Sequence, residues 1–438
     1  MQSINLGVLC LARKTFDYQA AKELYEKIKN DLRKIDNVEW NFIDNLIFEV
    51  EEAKKAAKSL ASSNIDGLIV ISGTFHLGHL ILEIHKELRK PLLLWGLDEL
   101  PYNGGKIRLN SVCGVNLNAS NLYKSGEKSY HVVIGNEVDK NWIDAIRIKK
   151  ALNSSHIGIL GYRAQGFFNL DIDELSTYRE VGVLLDHYEL DTIFNYKVDN
   201  DEVSEIRSEI EELFDVSGIN KTQLDKVVAL SAKLKNFMND ENLNAIAIRC
   251  WPEFAEKFGI SPCAAMSYIQ SKGFITGCEG DVEGVLSMIA QKAIGAETPF
   301  LADFSQVDFE KNYALLWHCG VAPCNLAYEK SERSLDTYFA GGRGVTADFV
   351  MKPGEFSVCR LDSANGKYRI FLAHGQAVPM EKVLKGTYMK AIFDENVKDV
   401  LNRVIYHGIA HHVSVSYGRY IEPFKILARI NDWEVIGG

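Results

Sequence analysis

The sequence lacks the features that mark membrane, exported and nucleic-acid-binding proteins. Nowhere do 18 or more apolar residues follow one another, so neither a transmembrane helix nor a membrane partner is expected. Lys and Arg form no run, and 49 of them stand against 59 Asp and Glu, which gives a net charge of −10. Phosphate backbones repel such a chain, so no nucleic-acid partner is expected. The apolar segment 1–12 follows no cationic stretch and precedes no small-residue cleavage site, unlike a signal peptide, which favours a cytoplasmic location.

Closely spaced cysteine pairs are also missing. The sequence has eight scattered cysteines, none of them in a CxxC pair: Cys10, Cys113, Cys250, Cys263, Cys278, Cys319, Cys324 and Cys359. This spacing excludes zinc ribbons and zinc fingers, whose ligands come in close pairs. Without an export signal, free thiols are expected rather than a disulfide framework.

What is present is an ordinary globular composition. Of the 438 residues, 47% are hydrophobic and 25% are charged. These values exclude disordered, collagenous and coiled-coil proteins. At roughly 100–200 residues per domain, this length predicts two to four domains.

Alternating strand and helix patterns fill the first 150 residues. The predicted strands are short and mostly apolar throughout, as in a parallel sheet with helices on both faces; they are residues 4–12, 38–43, 67–73, 91–95 and 131–134. Apolar residues at helical spacing predict one helix in each of the three intervals between the first four strands. Because no GxGxxG follows the first strand, a dinucleotide site is not supported.

The α/β pattern starts again after residue 152 and changes near residue 300. Beyond that point, predicted strands joined by Gly, Pro and Asn turns indicate a mainly antiparallel domain, and Asn365-Gly366 predicts a hairpin turn. We therefore predict an α/β protein with two Rossmann-like, doubly wound parallel-sheet domains, 1–152 and 153–298. A mainly antiparallel, β-barrel-like C-terminal domain, 299–438, follows them.

Two carboxylates next to predicted strands are candidates for chemistry. Glu279 lies in the loop that leads into a helix predicted from residue 282. Asp281, at the start of that helix, is interpreted as an N-cap that accepts from free backbone N–H groups. Asp303 follows an apolar strand, where a buried carboxylate needs a partner, and a turn cap is the alternative.

Imidazoles occupy two more predicted strand ends. For His318, a hydrogen-bonded core histidine is the alternative to a metal ligand. His411-His412 begins a predicted alternating strand, so only one of the pair is expected in a given site. Two carboxylates and two imidazoles together match a divalent-metal site, and mixed ligands of this kind suit Mn²⁺, Fe²⁺, Co²⁺ or Zn²⁺ better than Ca²⁺.

These motifs resemble the L-fucose isomerase and L-arabinose isomerase superfamily, over nearly the whole chain. The stretch 278–281 resembles its Glu-Gly-Asp metal motif, 301–303 its second acidic motif, 318–320 its His motif and 408–412 the Gly-Ala-His-His of the arabinose enzymes. The resemblance implies that Glu279, Asp303 and His412 bind a metal, with His318 as a fourth ligand. It also implies that Glu279 and Asp303 are the catalytic acid and base.

Segments outside the metal motifs resemble the same family. Gly73-Thr74-Phe75-His76, followed by the Lys-Pro-Leu-Leu-Leu strand from residue 90, resembles a first-domain loop that reaches into a neighbouring subunit's active site. Arg13 is similar to a substrate-contacting position, and residues 250–253 are similar to a motif of shorter members. The resemblance thus implies substrate contacts for Arg13, His76 and Trp251; for Trp251 a core aromatic is the alternative.

The function that the resemblance implies is a metal-dependent aldose–ketose isomerase. Mn²⁺, Co²⁺ or Fe²⁺ would be its cofactor, and it would form a homotrimer or homohexamer with shared active sites. Short family members act on sulfoquinovose and others on L-fucose or arabinose, so a deoxyhexose, a pentose and a sulfonated hexose all stay open. Two alternatives are a non-catalytic sugar-binding or sensor protein, which two α/β lobes also build, and a metal-dependent hydrolase with a metal-bound water.

Overall fold

The structure, a computed structural model, describes residues 1–102, 104–329, 331–338 and 342–438. The chain divides into two compact units. One contains Met1–Lys150 and Glu422–Trp433, and the other contains Ala151–Ile421 and Glu434–Gly438. The second unit joins segments that the sequence analysis assigns to two domains, and the division at residue 298 stays a prediction.

The first unit is built on a parallel five-stranded sheet. Its strands are β1 (Ile4–Leu11), β2 (Val38–Phe42), β3 (Gly67–Ser72), β4 (Leu92–Gly96) and β5 (Tyr130–Ile134), in the order β2-β1-β3-β4-β5. The helices are α1 (Tyr18–Leu32), α2 (Val50–Ser62), α3 (His79–Leu88), α4 (Ser111–Lys124) and α5 (Lys140–Asn153). Every residue of β3 and β4 is buried, as expected for strands covered on both faces.

A second parallel sheet opens the other unit. Its strands are β6 (His156–Leu160), β7 (Leu184–Tyr188), β8 (Ala245–Ile248) and β9 (Ile275–Gly277), in the order β7-β6-β8-β9. The helices of this region are α6 (Glu174–Val181), α7 (Leu190–Phe194), α8 (Asn200–Leu213), α9 (Lys221–Asp240), α10 (Cys263–Ser271) and α11 (Val282–Ala293). α11 follows β9 directly and is buried along almost its whole length.

A mixed nine-stranded sheet completes the second unit. Its strands are β10 (Phe300–Asp308), β11 (Tyr313–His318), β12 (Ser334–Thr337), β13 (Val345–Val350), β14 (Gly354–Ala364), β15 (Lys367–Val378), β16 (Thr387–Phe393), β17 (His412–Tyr417) and β18 (Glu434–Gly437). The order is β12-β13-β16-β11-β10-β17-β14-β15-β18, and β15 also pairs with β16. Most neighbours are antiparallel, whereas β13 with β16 and β15 with β18 are parallel. α12 (Val397–Tyr406) lies in this unit, whereas α13 (Ile421–Asn431) belongs to the first unit except for its first residue.

The predicted α/β class is confirmed, with two parallel sheets and one large mixed sheet. The finer Rossmann-like and barrel-like descriptions stay predictions. The hairpin turn is confirmed, because Ala364 pairs with Lys367 and both Asn365 and Gly366 have the positive φ that a tight turn of this kind requires. Within the described residues, no helix is long and apolar enough to cross a bilayer.

Candidate metal centre and active site

The loop 278–281, between β9 and α11, contains two consecutive residues with left-handed backbone. Glu279 has φ of 62° and Gly280 has φ of 77°. A Cβ on Gly280 would lie 2.6 Å from Arg163 Cα and 2.7 Å from the Tyr162 carbonyl oxygen, so only glycine fits there. The left-handed conformation costs Glu279 about 1–2 kcal/mol. Strain of this kind at a carboxylate residue points to a position held for function.

Sheet register brings Asp303, His318 and His412 together. β10 pairs with β17 so that Asp303 lies directly opposite His412. On its other side β10 pairs with β11, where Trp317 lies opposite Asp303 and His318 comes next. Asp303 lies within β10, which continues to Asp308, and not at the strand end that the sequence suggested. Strand pairing, rather than closeness in sequence, therefore gathers these three side chains.

Three side chains converge on the Nε2 atom of buried His412. This atom lies 3.3 Å from His318 Nε2, 3.6 Å from Glu279 Oε2 and 3.7 Å from Asp303 Oδ1. Asp303 Oδ1 is buried and has no hydrogen-bond partner. Ligands of one first-row cation lie about 3.0–3.5 Å apart when their bonds are about 2.1 Å long. Asp303, His318 and His412 therefore fit a divalent cation with mixed oxygen and nitrogen ligands, and Glu279 and His411 form a second such group around the same His412.

Electrostatics around the cluster favours positive charge. Burial lowers the pKa of His318, but Cys319 and the carboxylates of Asp303 and Glu279 outweigh burial and raise this pKa to about 10. Burial also opposes protonation of His411, yet Glu279 and Asp303 raise its pKa as well. The carboxylates thus attract a positive charge to this place, which a bound cation would also supply.

Asp281 connects the end of a helix to the cluster. Its Oδ1 accepts from the Gly284 backbone N–H at 2.8 Å, so the predicted N-cap of α11 is confirmed. Its Oδ2 lies 2.9 Å from His412 Nδ1 and also accepts from the buried Arg360 guanidinium. Burial alone would raise the pKa of Asp281, but Arg360 and His412 hold this pKa well below its usual range. An ionised Asp281 keeps the His412 proton on Nδ1, which leaves Nε2 free to bind a cation.

Both members of the histidine pair reach Glu279, so the expectation of one histidine per site is wrong. His411 Nε2 lies 3.0 Å and His412 Nε2 lies 3.6 Å from Glu279 Oε2. The reason is that β17 begins at His412. His411 therefore lies in the preceding loop, where side chains do not alternate as they do along a strand.

A cavity of about 450 Å³ opens beside the cluster. Its walls include Glu279, Asp303 and His318, and Trp251 and Arg343 contribute to them as well. This volume lies within the range of roughly 300–1,000 Å³ that small-molecule sites occupy. Trp251 is 45% exposed, so it is not the core aromatic that the sequence left open as an alternative.

Arg13 and His76, the predicted substrate contacts of the N-terminal domain, lie in the first unit. Arg13 is exposed just after β1, and its backbone N–H donates to Thr74 Oγ1 at 2.8 Å. His76 is fully buried, with Nε2 3.1 Å from Ser72 Oγ and 3.3 Å from Asn118 Nδ2. Burial lowers the pKa of His76 to about 4. Its ring is thus hydrogen-bonded within its own unit, and substrate contact by Arg13 and His76 stays a prediction.

Sequence reasoning missed Arg360 altogether and missed the contact of Asp281 with His412. Arg360 is fully buried in β14, where it also faces Glu283 at 3.6 Å and Asp362 at 3.9 Å. The available signal was an arginine inside an apolar strand, since a buried charge requires a partner of opposite sign. Nothing in the sequence indicates which carboxylates provide the negative charge that Arg360 requires.

Comparison with known proteins identifies the family of the chain. Residues 7–145 match the family model described as the N-terminal domain of fucose/sulfoquinovose isomerase, and residues 316–437 match that of the L-fucose isomerase C-terminal domain. A sulfoquinovose isomerase from Priestia megaterium is 29% identical over 444 residues, with 99% of each chain covered. A sulfoquinovose isomerase from Alkalicoccus urumqiensis is 25% identical, with 86% of each chain covered.

Solved structures add no argument. A periplasmic sugar binding protein from Legionella pneumophila covers 66% of this chain and 92% of its own at 10% identity, but the TM-score is 0.17. The two family models and the full-length relatives identify the family instead. Together they show that the chain belongs to the fucose isomerase-like family of aldose–ketose isomerases.

Proposed function

We propose that this sugar isomerase works with a divalent cation held by Glu279, Asp303, His318 and His412, and that its substrate is sulfoquinovose. The observation that carries the metal site is the approach of three ligand atoms to within 3.3–3.7 Å of His412 Nε2, beside a cavity. The substrate is inferred from relatives named sulfoquinovose isomerase that align along 99% of this chain. Mn²⁺, Co²⁺ and Fe²⁺ are the cations that we propose for the site.

The chain's own carboxylates would carry the protons of the reaction. Aldose–ketose isomerisation moves one proton from C2 to C1 and one from O2 to O1, through a cis-enediol. Glu279 and Asp303 both line the cavity and would remove and return these protons. His318 and His412 hold the cation, and Asp281 fixes the tautomer of His412. The bound cation would act as a Lewis acid toward the sugar oxygens.

Arg343 supports a substrate with an anionic group. It is exposed and lines the same cavity as Glu279 and Asp303. A guanidinium can donate two parallel hydrogen bonds to the oxygens of an oxyanion such as a sulfonate. Arg13 is the second candidate for this role. If Arg343 binds the sulfonate, Arg343→Ala raises the KM for sulfoquinovose and leaves that for a neutral aldose unchanged.

The metal site is tested with Glu279→Gln, His412→Ala and a matched control, Glu256→Gln. Glu256 lines the same cavity without belonging to the ligand cluster. We expect Glu279→Gln and His412→Ala to retain far less than one Mn²⁺ per chain, and to isomerise sulfoquinovose about 10²–10⁴-fold more slowly. Glu256→Gln should keep its metal and its rate within a few-fold. Unchanged metal content and turnover in both ligand variants would overturn the assignment.

A further inference from the structure

The two consecutive histidines of the site face chemically opposite partners through their Nδ1 atoms. His412 Nδ1 lies 2.9 Å from Oδ2 of Asp281, and a carboxylate oxygen accepts a hydrogen bond. His411 Nδ1 lies 3.1 Å from Nδ2 of Asn169, and an amide nitrogen donates one. A neutral imidazole has one N–H group and one acceptor nitrogen. The two rings therefore carry their hydrogen on opposite nitrogens, His412 on Nδ1 and His411 on Nε2.

The contact on the other side of the His411 ring agrees with this assignment. His411 Nε2 lies 3.0 Å from Oε2 of Glu279, and an ionised carboxylate can only accept a hydrogen bond. His411 thus donates to Glu279, whereas Nε2 of His412 keeps a lone pair for a cation. A ring nitrogen that carries a hydrogen cannot bind a metal ion. His411 is therefore not expected among the metal ligands, although its ring centroid lies 4.2 Å from that of His412.

The segment between β6 and α6 holds both Glu279 and His411 in place. The backbone N–H of Ala164 donates to the carbonyl oxygen of Glu279 at 3.0 Å, and the side chain of Asn169 donates to His411. The ring of Phe167 packs against that of His411, with 5.4 Å between their centroids. Glu279 is thus held at its main chain directly and at its side chain through His411.

We propose that His411 is a positioning residue for Glu279, and that Asn169 fixes the tautomer in which His411 can act. Glu279 lines the cavity, and the hydrogen bond from His411 holds its carboxylate in the orientation that proton transfer to and from the sugar requires. Loss of this bond should therefore slow the chemical step and leave substrate binding almost unchanged. The role in turnover rests on the proposed function, whereas the tautomer of His411 does not.

The substitutions His411→Ala and His411→Gln test the hydrogen bond to Glu279. The side-chain amide nitrogen of glutamine reaches about as far as Nε2 and can donate to Glu279, whereas alanine cannot. We expect His411→Ala to lower kcat for sulfoquinovose about 10- to 100-fold with little change in KM, and His411→Gln to recover most of that loss. The matched control, His374→Ala, removes another half-buried histidine that faces a carboxylate, that of Asp394, and should keep the wild-type kcat.

Metal content gives a second readout, which does not depend on turnover. The same exchange at the neighbouring position, His412→Gln, removes a proposed ligand and should leave far less than one Mn²⁺ per chain after dialysis. His411→Gln should keep its Mn²⁺ under the same conditions. If His411→Gln loses Mn²⁺ as His412→Gln does, His411 is a ligand and the proposal is overturned.

Asn169→Ala tests whether Asn169 acts through His411. Asn169 is exposed, so this variant should fold and keeps the proposal testable if His411→Ala does not. We expect its kcat to fall by less than that of His411→Ala, and the double variant to be no slower than His411→Ala, because two residues of one hydrogen-bonded chain are not additive.

Three results would contradict these roles or separate them from the proposed function. Wild-type kcat in His411→Ala would overturn the positioning of Glu279. Wild-type kcat in Asn169→Ala, or losses that multiply in the double variant, would overturn the action of Asn169 through His411. A wild type that isomerises no sugar would contradict the proposed function, while the Mn²⁺ content of His411→Gln would still decide whether His411 is a ligand.

Discussion

Asp281 shows how one carboxylate can serve the fold and the chemistry together. It caps α11 through Gly284, and it accepts from His412 Nδ1 at 2.9 Å. The cap explains why an acidic residue at this position looks ordinary in the sequence. Only the register of β17, many residues away, shows that the same carboxylate orients a proposed metal ligand.

Asp281→Asn tests that second role. Asparagine caps a helix about as well as aspartate but carries no charge, so α11 should stay formed. We expect Mn²⁺ affinity to fall about 10- to 100-fold, because His412 loses its anionic partner. Competition with a chelator measures the affinity, and circular dichroism checks the helices. Asp173→Asn is the matched control, since Asp173 caps α6 and contacts no residue of the cluster; wild-type affinity in Asp281→Asn would contradict the role.

Glu283 gives the folded protein a pH-dependent stability. It is buried beside Arg360, Asp362 and Asp281. Burial raises the pKa of Glu283 to about 7, from 4.5 in a solvated chain, although Arg360 lowers it. Because the pKa is higher in the folded state, this contribution to the free energy of unfolding is complete below pH 4.5 and is lost as the pH rises through 7.

The expected result is a steeper loss of stability in the wild type than in Glu283→Gln between about pH 5 and pH 8. Glutamine keeps the size of the side chain but does not titrate. Urea unfolding at a series of pH values measures the difference. Parallel pH profiles of the two proteins would show that Glu283 does not titrate in this range.

At the scale of secondary structure elements, Arg360 joins β14 to the start of α11. Its guanidinium is fully buried and pairs with Asp281, Glu283 and Asp362. Arg360→Met would leave these carboxylates without their central cation, which costs about 3–5 kcal/mol for a broken buried pair. The free energy of unfolding from urea titration should fall by that amount. Arg419→Met, which removes a half-exposed pair with Asp394, should change it by less than about 1 kcal/mol, and similar losses in both variants would contradict the account.

Element by element, the sequence predicted most of the parallel sheets but not every helix. Strands β1 to β5, apart from β2 with its Glu39 and Asn41, are mostly apolar runs, and the positions of all five were predicted to within about two residues. Helix α4 was not predicted, because its buried face includes Ser111, Gly114 and Asn118, which interrupt the apolar periodicity. Those polar residues are buried because they hydrogen-bond within the unit, as Asn118 does to His76.

The candidate site was predictable in part for a similar reason. Glu279, Asp303, His318 and His412 stand next to glycines or apolar strands, so their positions are visible along the chain. Their distances apart are not visible, because β10 pairs with β17 and β11 only in the folded sheet.

At the scale of the whole molecule, the proposed homotrimer or homohexamer with shared sites makes a specific prediction for Arg13. Arg13 lies in the first unit and Glu279 lies in the second. If Arg13 of one copy serves the site of a neighbour, an oligomer that mixes Arg13→Ala and Glu279→Gln chains contains some intact sites. In a ring with random mixing, roughly a quarter of the sites would be intact.

Co-expression of the two variants measures this complementation. Each variant alone should be nearly inactive, and the mixture should recover isomerisation in proportion to its intact sites. Sedimentation of the wild type should show a symmetric oligomer. No recovery in a verified mixed oligomer would assign Arg13 to its own chain's site, and an active monomer would contradict sharing altogether.

Cation-dependent isomerisation is tested most directly by nuclear magnetic resonance of sulfoquinovose in D₂O with the Mn²⁺-loaded protein. We predict formation of the ketose and deuterium at C2 of the recovered aldose, loss of both after EDTA, and their return when Mn²⁺ is restored. Exchange that survives complete removal of metal would contradict the proposed role of the cluster. No exchange with sulfoquinovose, L-fucose, D-arabinose, L-arabinose or D-glucose, despite bound metal, would contradict the proposed reaction itself.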